Sequence, residues 1–416
     1  MLGVSNVAML VLALTWLPYQ YWRLLSQADP IWPSSPEGAI DLLMRRNEVR
    51  AWFSGVPVYE VSAAAIYPPA SYALLWPLVG WTTETSVRWA YAVSVTVSLA
   101  AVTWLLVRES RVNSRAGRAF VAAVSLANYA AGATIGNGQL SVYLVLVIVV
   151  GVLAQRRQAV SWLTPLVASV CMLLALVKPT FSIPFGWVLL VGRNGFASLM
   201  AAGAAYVGLT LWAASYQEAS PVVLIGQWLS SGSSTARVMG TMDLHVGLGT
   251  LGFGGWILPA SAVVLLVLGI WVIRNRQADA WMLVGVAALI TRFWSYHLWY
   301  DDTLLLLPTI ALIRTRRSRQ SRTTRVLADL LVALMALSLL APGGLYLLPA
   351  PWNGVYVASQ TAVWLATLGF LLAQARWARS APAARSPWRR GRGAAARPRR
   401  SAPQACAPWC RPRRGG

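Results

Sequence analysis

Apolar runs of about 20 residues recur along this chain from Leu2 to Leu372, and that recurrence restricts the fold more than any other feature. A soluble protein of 416 residues needs a charged exterior, yet 57% of this chain is hydrophobic and only 12% is charged. That charged share is about half of an ordinary domain's. The sequence therefore predicts an all-α polytopic membrane protein folded as one bundle, rather than two or three soluble domains.

Breaking the apolar stretches at charged or Gly/Pro punctuation gives twelve expected spans. The first six are 4–25, 86–107, 117–135, 139–154, 160–177 and 180–192. The rest are 196–214, 256–273, 280–293, 297–313, 325–348 and 355–375. Basic residues then fall in alternate connections: Arg108 to Arg118, Arg156 with Arg157, Arg193, Arg274 with Arg276, and Arg314 to Arg325. By the positive-inside rule these lie on one face, with both termini cytoplasmic. Abundant Arg and Ala point to a GC-rich bacterial source and its inner membrane.

The expected organisation is a first transmembrane helix (1–25), an external loop (26–85), the transmembrane bundle (86–375) and a tail (376–416). Net charge is +22, and the tail supplies 12 Arg without an acid. Its Ala, Pro, Gly and Ser bias offers no core, so it reads as disordered and apposed to anionic lipid rather than nucleic acid. Cys171 lies in an apolar run while Cys406 and Cys410 lie in the tail, which indicates neither a disulfide framework nor a zinc site.

Ten of the 13 acids, both His (His245 and His297) and the one Lys, Lys178, sort to the external side. Chemistry is expected there. In the long loop, Ser34 and Glu37 have capping-box spacing and Gly55 suits a helix stop, so a charged interfacial helix is expected between them. Its Asp41, Arg45 and Glu48 share one face, as surface ion pairs or as a site. A second interfacial helix is expected to open at Pro68 and Pro69 and to end near Pro77. The Gly- and Ser-rich connection 215–255 reads as either a flexible linker or an acceptor-binding flap.

Several local patterns coincide. Asp41 is followed fourteen residues on by Gly55, then by Tyr59, Tyr67-Pro68-Pro69 and Leu75-Trp76-Pro77-Leu78. Gly138-Gln139 opens one apolar span, Leu176-Val177-Lys178-Pro179-Thr180 closes another, and an aromatic-rich stretch runs from Trp294 to Pro308. Over about residues 1–375 the chain thereby resembles glycosyltransferase family 87, the polyprenyl-phosphate-mannose-dependent mannosyltransferases of the GT-C superfold.

The resemblance implies an inverting membrane enzyme that uses a lipid-phosphate sugar externally, with Asp41 as general base. A carboxylate within hydrogen-bond reach can take the acceptor hydroxyl's proton as it attacks. The leaving group is a phosphate and calls for cations. Lys178, Arg292, His297, Arg45 and Arg46 are the candidates, with snorkelling or interfacial anchoring as the alternative for Lys178 and Arg292. Tyr59, Tyr67, Gln139, Asp301, Asp302 and His245 are candidates for sugar or acceptor binding. Where the family's stretch carries His, this sequence has Asp301 and Asp302, so His297 with Asp301 at i and i+4 forms either a polar patch or a divalent-metal site. No metal or other cofactor is required by this reading. The expected partners are a polyprenyl-phosphate-sugar donor, a glycolipid or glycan acceptor and membrane lipids, and no nucleic acid. A lipid-linked sugar transporter or flippase is the competing function, but the two halves of the chain show no repeat.

Overall fold

The structure, a computed structural model, describes residues 2–26, 38–62, 64–156, 163–239, 243–317, 321–340 and 348–380. These residues fold into helices without a strand. The N-terminal part contains α1 (Leu2–Ser26), α2 (Ile40–Phe53), α3 (Val58–Val61), α4 (Pro69–Leu75), α5 (Glu84–Glu109), α6 (Arg115–Ala127), α7 (Tyr129–Asn137), α8 (Ser141–Arg156) and α9 (Leu163–Ala175). The C-terminal part contains α10 (Pro179–Leu190), α11 (Gly195–Ala214), α12 (Pro221–Met239), α13 (Leu244–Thr250), α14 (Ile257–Arg274), α15 (Ala280–Trp294), α16 (Leu306–Arg317), α17 (Arg322–Leu340) and α18 (Trp352–Ser380).

Among the described residues, six helical stretches are long and apolar enough to cross a membrane: 84–109, 115–137, 195–214, 254–274, 322–340 and 352–375. Four shorter apolar helices, α8, α9, α10 and α15, pack beside them. The chain is therefore an all-helical membrane protein.

Helix α5 runs from the α2 side of the bundle to its opposite end. Its 26 residues rise about 39 Å. Thr83 and Ser86 close a reciprocal capping box at its start. There Arg46 faces Glu84 at 3.7 Å, which ties that end to α2. At its other end Arg314 bonds the Glu109 carbonyl at 2.6 Å and also pairs with Asp279 at 2.5 Å. The basic connections between α5 and α6, α14 and α15, and α16 and α17 thus gather at the end opposite α2.

Four local features depart from the sequence reading. The span near 117–135 is two helices broken at Asn128, whose buried side chain caps α7 by accepting from the Ala130 N–H. The segment expected as a span from 297 begins instead with a 3-10 stretch, Trp299–Leu305, so His297 and Asp301 do not share a helical face. In the connection 215–255, 19 residues form α12, whose Trp228 Nε1 donates to the Ile66 carbonyl at 3.0 Å. Helix α18 continues through Ser380, past the expected start of the tail at 376.

The helices of the loop expected to be external are more buried than the sequence reading has them. Helix α2 starts at Ile40 after Ala39 with φ 63°, and the expected Ser34–Glu37 capping box lies outside the described residues. Gly55, with φ 81°, follows its end as expected. Its Arg45–Glu48 pair is buried, not superficial. Helix α4 opens at Pro68 and Pro69, then continues past Pro77 as a π-helical turn, Trp76–Gly80, with its own residues buried against α11 rather than lying on the surface.

Candidate active site

Trp52 anchors the loop. It is fully buried, stacks on Tyr72 at 4.7 Å, and donates from Nε1 to the Ala213 carbonyl of α11 at 2.8 Å. Gln217 returns a bond to the Trp52 carbonyl at 2.7 Å. Helix α2 is thereby held over the bundle with Asp41 in its first turn.

The C-terminus of α7 fixes the other side. The Gly136 carbonyl accepts from the Ala39 N–H at 2.8 Å, and Gly138 follows with φ 73°. A Cβ on Gly138 would lie 2.4 Å from the Leu42 Cβ. Both the left-handed backbone and this close approach require glycine. The next residue, Gln139, shares a side-chain hydrogen bond with Asp41. Tyr91 on α5 holds the turn by donating to the carbonyls of Gln139 at 2.6 Å and Thr134 at 3.0 Å.

Asp41 also lies in electrostatic reach of Arg45, Lys178 and Asp301. Burial raises its carboxyl above the ordinary value, against the opposing pull of the Gln139 bond and the two cations. Lys178, at the start of α10, donates to both Asp301 oxygens at 2.7 Å. Ser141 Oγ donates to Asp301 Oδ1 at 2.6 Å, and the ammonium lies 5.4 Å from the Tyr300 ring centroid. Lys178 is thus 8% exposed and ion-paired, not snorkelling to water. Arg45 pairs with Glu48, bonds the Ala64 carbonyl at 3.0 Å, and sits 4.8 Å from the Tyr67 ring centroid.

A second polar group adjoins the first. Arg292 Nε donates to Asp302 Oδ1 at 2.5 Å and its guanidinium lies over Trp364 at 5.0 Å. His245 Nε2 shares a 2.7 Å bond with Ser261, and Asp243 Oδ1 caps α13 by accepting from the backbone of His245 and Val246. His297 is fully buried, with Nδ1 on the Ser295 carbonyl at 2.9 Å and Nε2 left without a partner. It interacts electrostatically with Asp301, Lys178 and Arg292, so it stands between the two groups. Among the described residues no three His, Cys, Asp or Glu side chains group as metal ligands.

The fold thus brings together Asp41, Arg45, Tyr67, Gln139, Lys178 and Asp301, and sets His297, Arg292, Asp302 and His245 beside them. Two of the candidates have other attachments. Tyr59 donates to the Tyr67 carbonyl at 2.6 Å and packs on Trp52, bracing the loop. Arg46 bonds the Thr82 carbonyl at 2.9 Å and faces Glu84. The sequence reading passed over Ser141, Tyr300 and Ser261. Ser141 had a signal, two residues after Gln139 at the opening of a span. Tyr300 had only its place in the aromatic-rich stretch from Trp294 to Pro308, and Ser261 had none.

An apolar cavity of about 410 Å³ adjoins this cluster. Arg45, Tyr67 and Gln139 line it on the side of the cluster, Tyr91, Ser94 and Tyr143 add hydroxyls, and the remainder is mostly aliphatic, including Leu75, Val79, Leu144, Val147 and Leu174. A charged head therefore meets a greasy channel within one pocket.

The family model described as glycosyltransferase family 87 matches residues 65–294, more than half of the chain. Gln139, Lys178 and Arg292 fall inside the matched segment, while Asp41 precedes it and Asp301 follows it. No curated protein matches the chain, and no solved structure does.

Proposed function

Because the chain belongs to glycosyltransferase family 87, we propose that this membrane glycosyltransferase takes mannose from a polyprenyl-phosphate donor and delivers it to a glycolipid or glycan acceptor. The reaction runs on the external face of the membrane, within a GT-C-like bundle crossed twelve times. The observation that carries the donor class is a cavity that joins aliphatic walls to Arg45 and Gln139 beside Asp41. A soluble nucleotide sugar has no use for such walls, whereas a polyprenyl chain buries against them.

Asp41 accepts the acceptor hydroxyl's proton as that oxygen attacks the anomeric carbon. The bond from that carbon to the phosphate oxygen breaks, polyprenyl phosphate departs, and configuration inverts. Its raised carboxyl is the stronger base for this step. The departing phosphate gathers negative charge, which Arg45 and Lys178 offset. Both cations are already matched by Glu48 and Asp301, so the donor phosphate enters as a competitor for charges that are compensated beforehand. Compensation keeps Lys178 affordable in an apolar setting until then.

The purified protein with synthetic polyprenyl-phosphate mannose and a lipid acceptor tests this reading. Asp41→Asn is expected to lower turnover by about 10²–10⁴, the usual contribution of a general base, at unchanged thermal stability. Undiminished turnover by that variant removes Asp41 from the mechanism.

A further inference from the structure

A second cavity lies at the other end of the bundle from Asp41. It encloses about 680 Å³ between α1, α6, α16 and α17. Met9, Phe120, Val121, Val332 and Leu337 contribute apolar walls, and Arg316, Arg317 and Asp329 stand together at one end. From Asp329 to Leu340 the α17 wall rises about 16 Å. The groove is thus charged at one end and apolar along most of its length, which is the shape and polarity of a single lipid rather than of a soluble metabolite.

Charge decides which lipid. The described acids at this end are Glu109, Asp279 and Asp329, and each faces an Arg: Arg314 for the first two and Arg316 for the third. Arg317 is exposed and has no such partner among the described residues. The neighbouring connections add Arg111, Arg115, Arg118, Arg322 and Arg325 without a further acid. A zwitterionic headgroup leaves this excess positive charge unanswered, whereas an anionic one neutralises it.

We infer that the groove binds one anionic phospholipid, with its phosphate on Arg317 and Arg316 and an acyl chain along α17 against α1 and α6. The site is separate from the Asp41 cluster by the length of α5 and does not depend on the reaction assigned there. Its occupant joins α1, α6, α16 and α17, so binding stabilises the assembled helices by mass action.

Thermal unfolding of the full chain in detergent, titrated with dioleoylphosphatidylglycerol or dioleoylphosphatidylcholine, is the test. The glycerol lipid is expected to raise the midpoint saturably and the choline lipid to leave it unmoved. The double variant Arg316→Ala/Arg317→Ala should weaken the anionic lipid about 25-fold, at about fivefold for each Arg. Asp329→Asn, which releases Arg316 from its partner, should strengthen it. Arg276→Ala removes a charge of the same end outside the groove and should change nothing. Equal shifts from the two lipids, or an anionic-lipid affinity untouched by the double variant, would overturn the site. Both Arg are exposed, so their removal is compatible with folding.

Discussion

Lys178 donates to both carboxylate oxygens of Asp301 at 2.7 Å, joining the start of α10 to the 3-10 stretch before α16 across 123 positions of sequence. Each group is buried, so neither tolerates the loss of the other. Lys178→Met or Asp301→Asn alone is expected to cost about 3–5 kcal/mol, because it strands a buried charge. The double variant Lys178→Met/Asp301→Asn should cost less than the sum. Thermal unfolding of the four proteins gives the cycle, and additive losses would mean the ion pair carries no coupling.

Gln139 bonds the Asp41 side chain and pulls its carboxyl downward. Gln139→Leu removes that bond, so the Asp41 carboxyl rises further and the acid limb of the pH profile of kcat/KM moves to higher pH. An unmoved limb in the variant would separate Gln139 from the titrating group.

Glu48 has its carboxyl raised to about 7, first by burial, against the opposing Arg45 charge. An acid whose folded value is raised contributes stability that is complete below its ordinary value near 4.5 and is lost as pH climbs through about 7. The midpoint of the native chain should therefore fall between pH 5 and pH 8 relative to that of Glu48→Gln. Parallel curves for the two proteins would contradict the raised value.

The cavity beside Arg45 predicts a dependence on donor chain length. Ala90 and Ser94 of α5 line it. Ala90→Trp fills part of the channel, so KM for a long-chain polyprenyl donor should rise while that for a truncated donor changes little. An equal effect on both donors would place the chain elsewhere.

Trp52 is the brace that the first loop relies on. Trp52→Ala removes a fully buried indole and its bond to Ala213, with an expected loss of about 3–5 kcal/mol. Limited proteolysis should then cut within residues 54–68 before any cut in the bundle.

Much of the helical framework was legible because the signal is local: the expected stretches 86–107, 196–214 and 256–273 coincide with α5, α11 and α14 to within two residues. The Asn128 break was hidden because a side-chain cap inside an apolar run leaves the average hydropathy intact. Helix α12 was hidden for the opposite reason, since Ser230, Ser231, Ser233 and Ser234 resemble a linker while their helix packs on the loop near Ile66. Within the site, the residue types were readable and their pairing was not. Arg45 and Glu48 have the spacing of any surface pair, and only the packing of α2 shows them dry. The meeting of Lys178 with Asp301 depends on how distant helices assemble.

At Gly138 the reactive geometry rests on a hydrogen atom. Leu42 follows Asp41 and Gln139 follows Gly138, and the Leu42 Cβ would meet even one added carbon at 2.4 Å. The tolerance between the two halves of the site is therefore smaller than a methyl group, and Gly138→Ala would blunt catalysis by wedging them apart while every polar side chain remained in place.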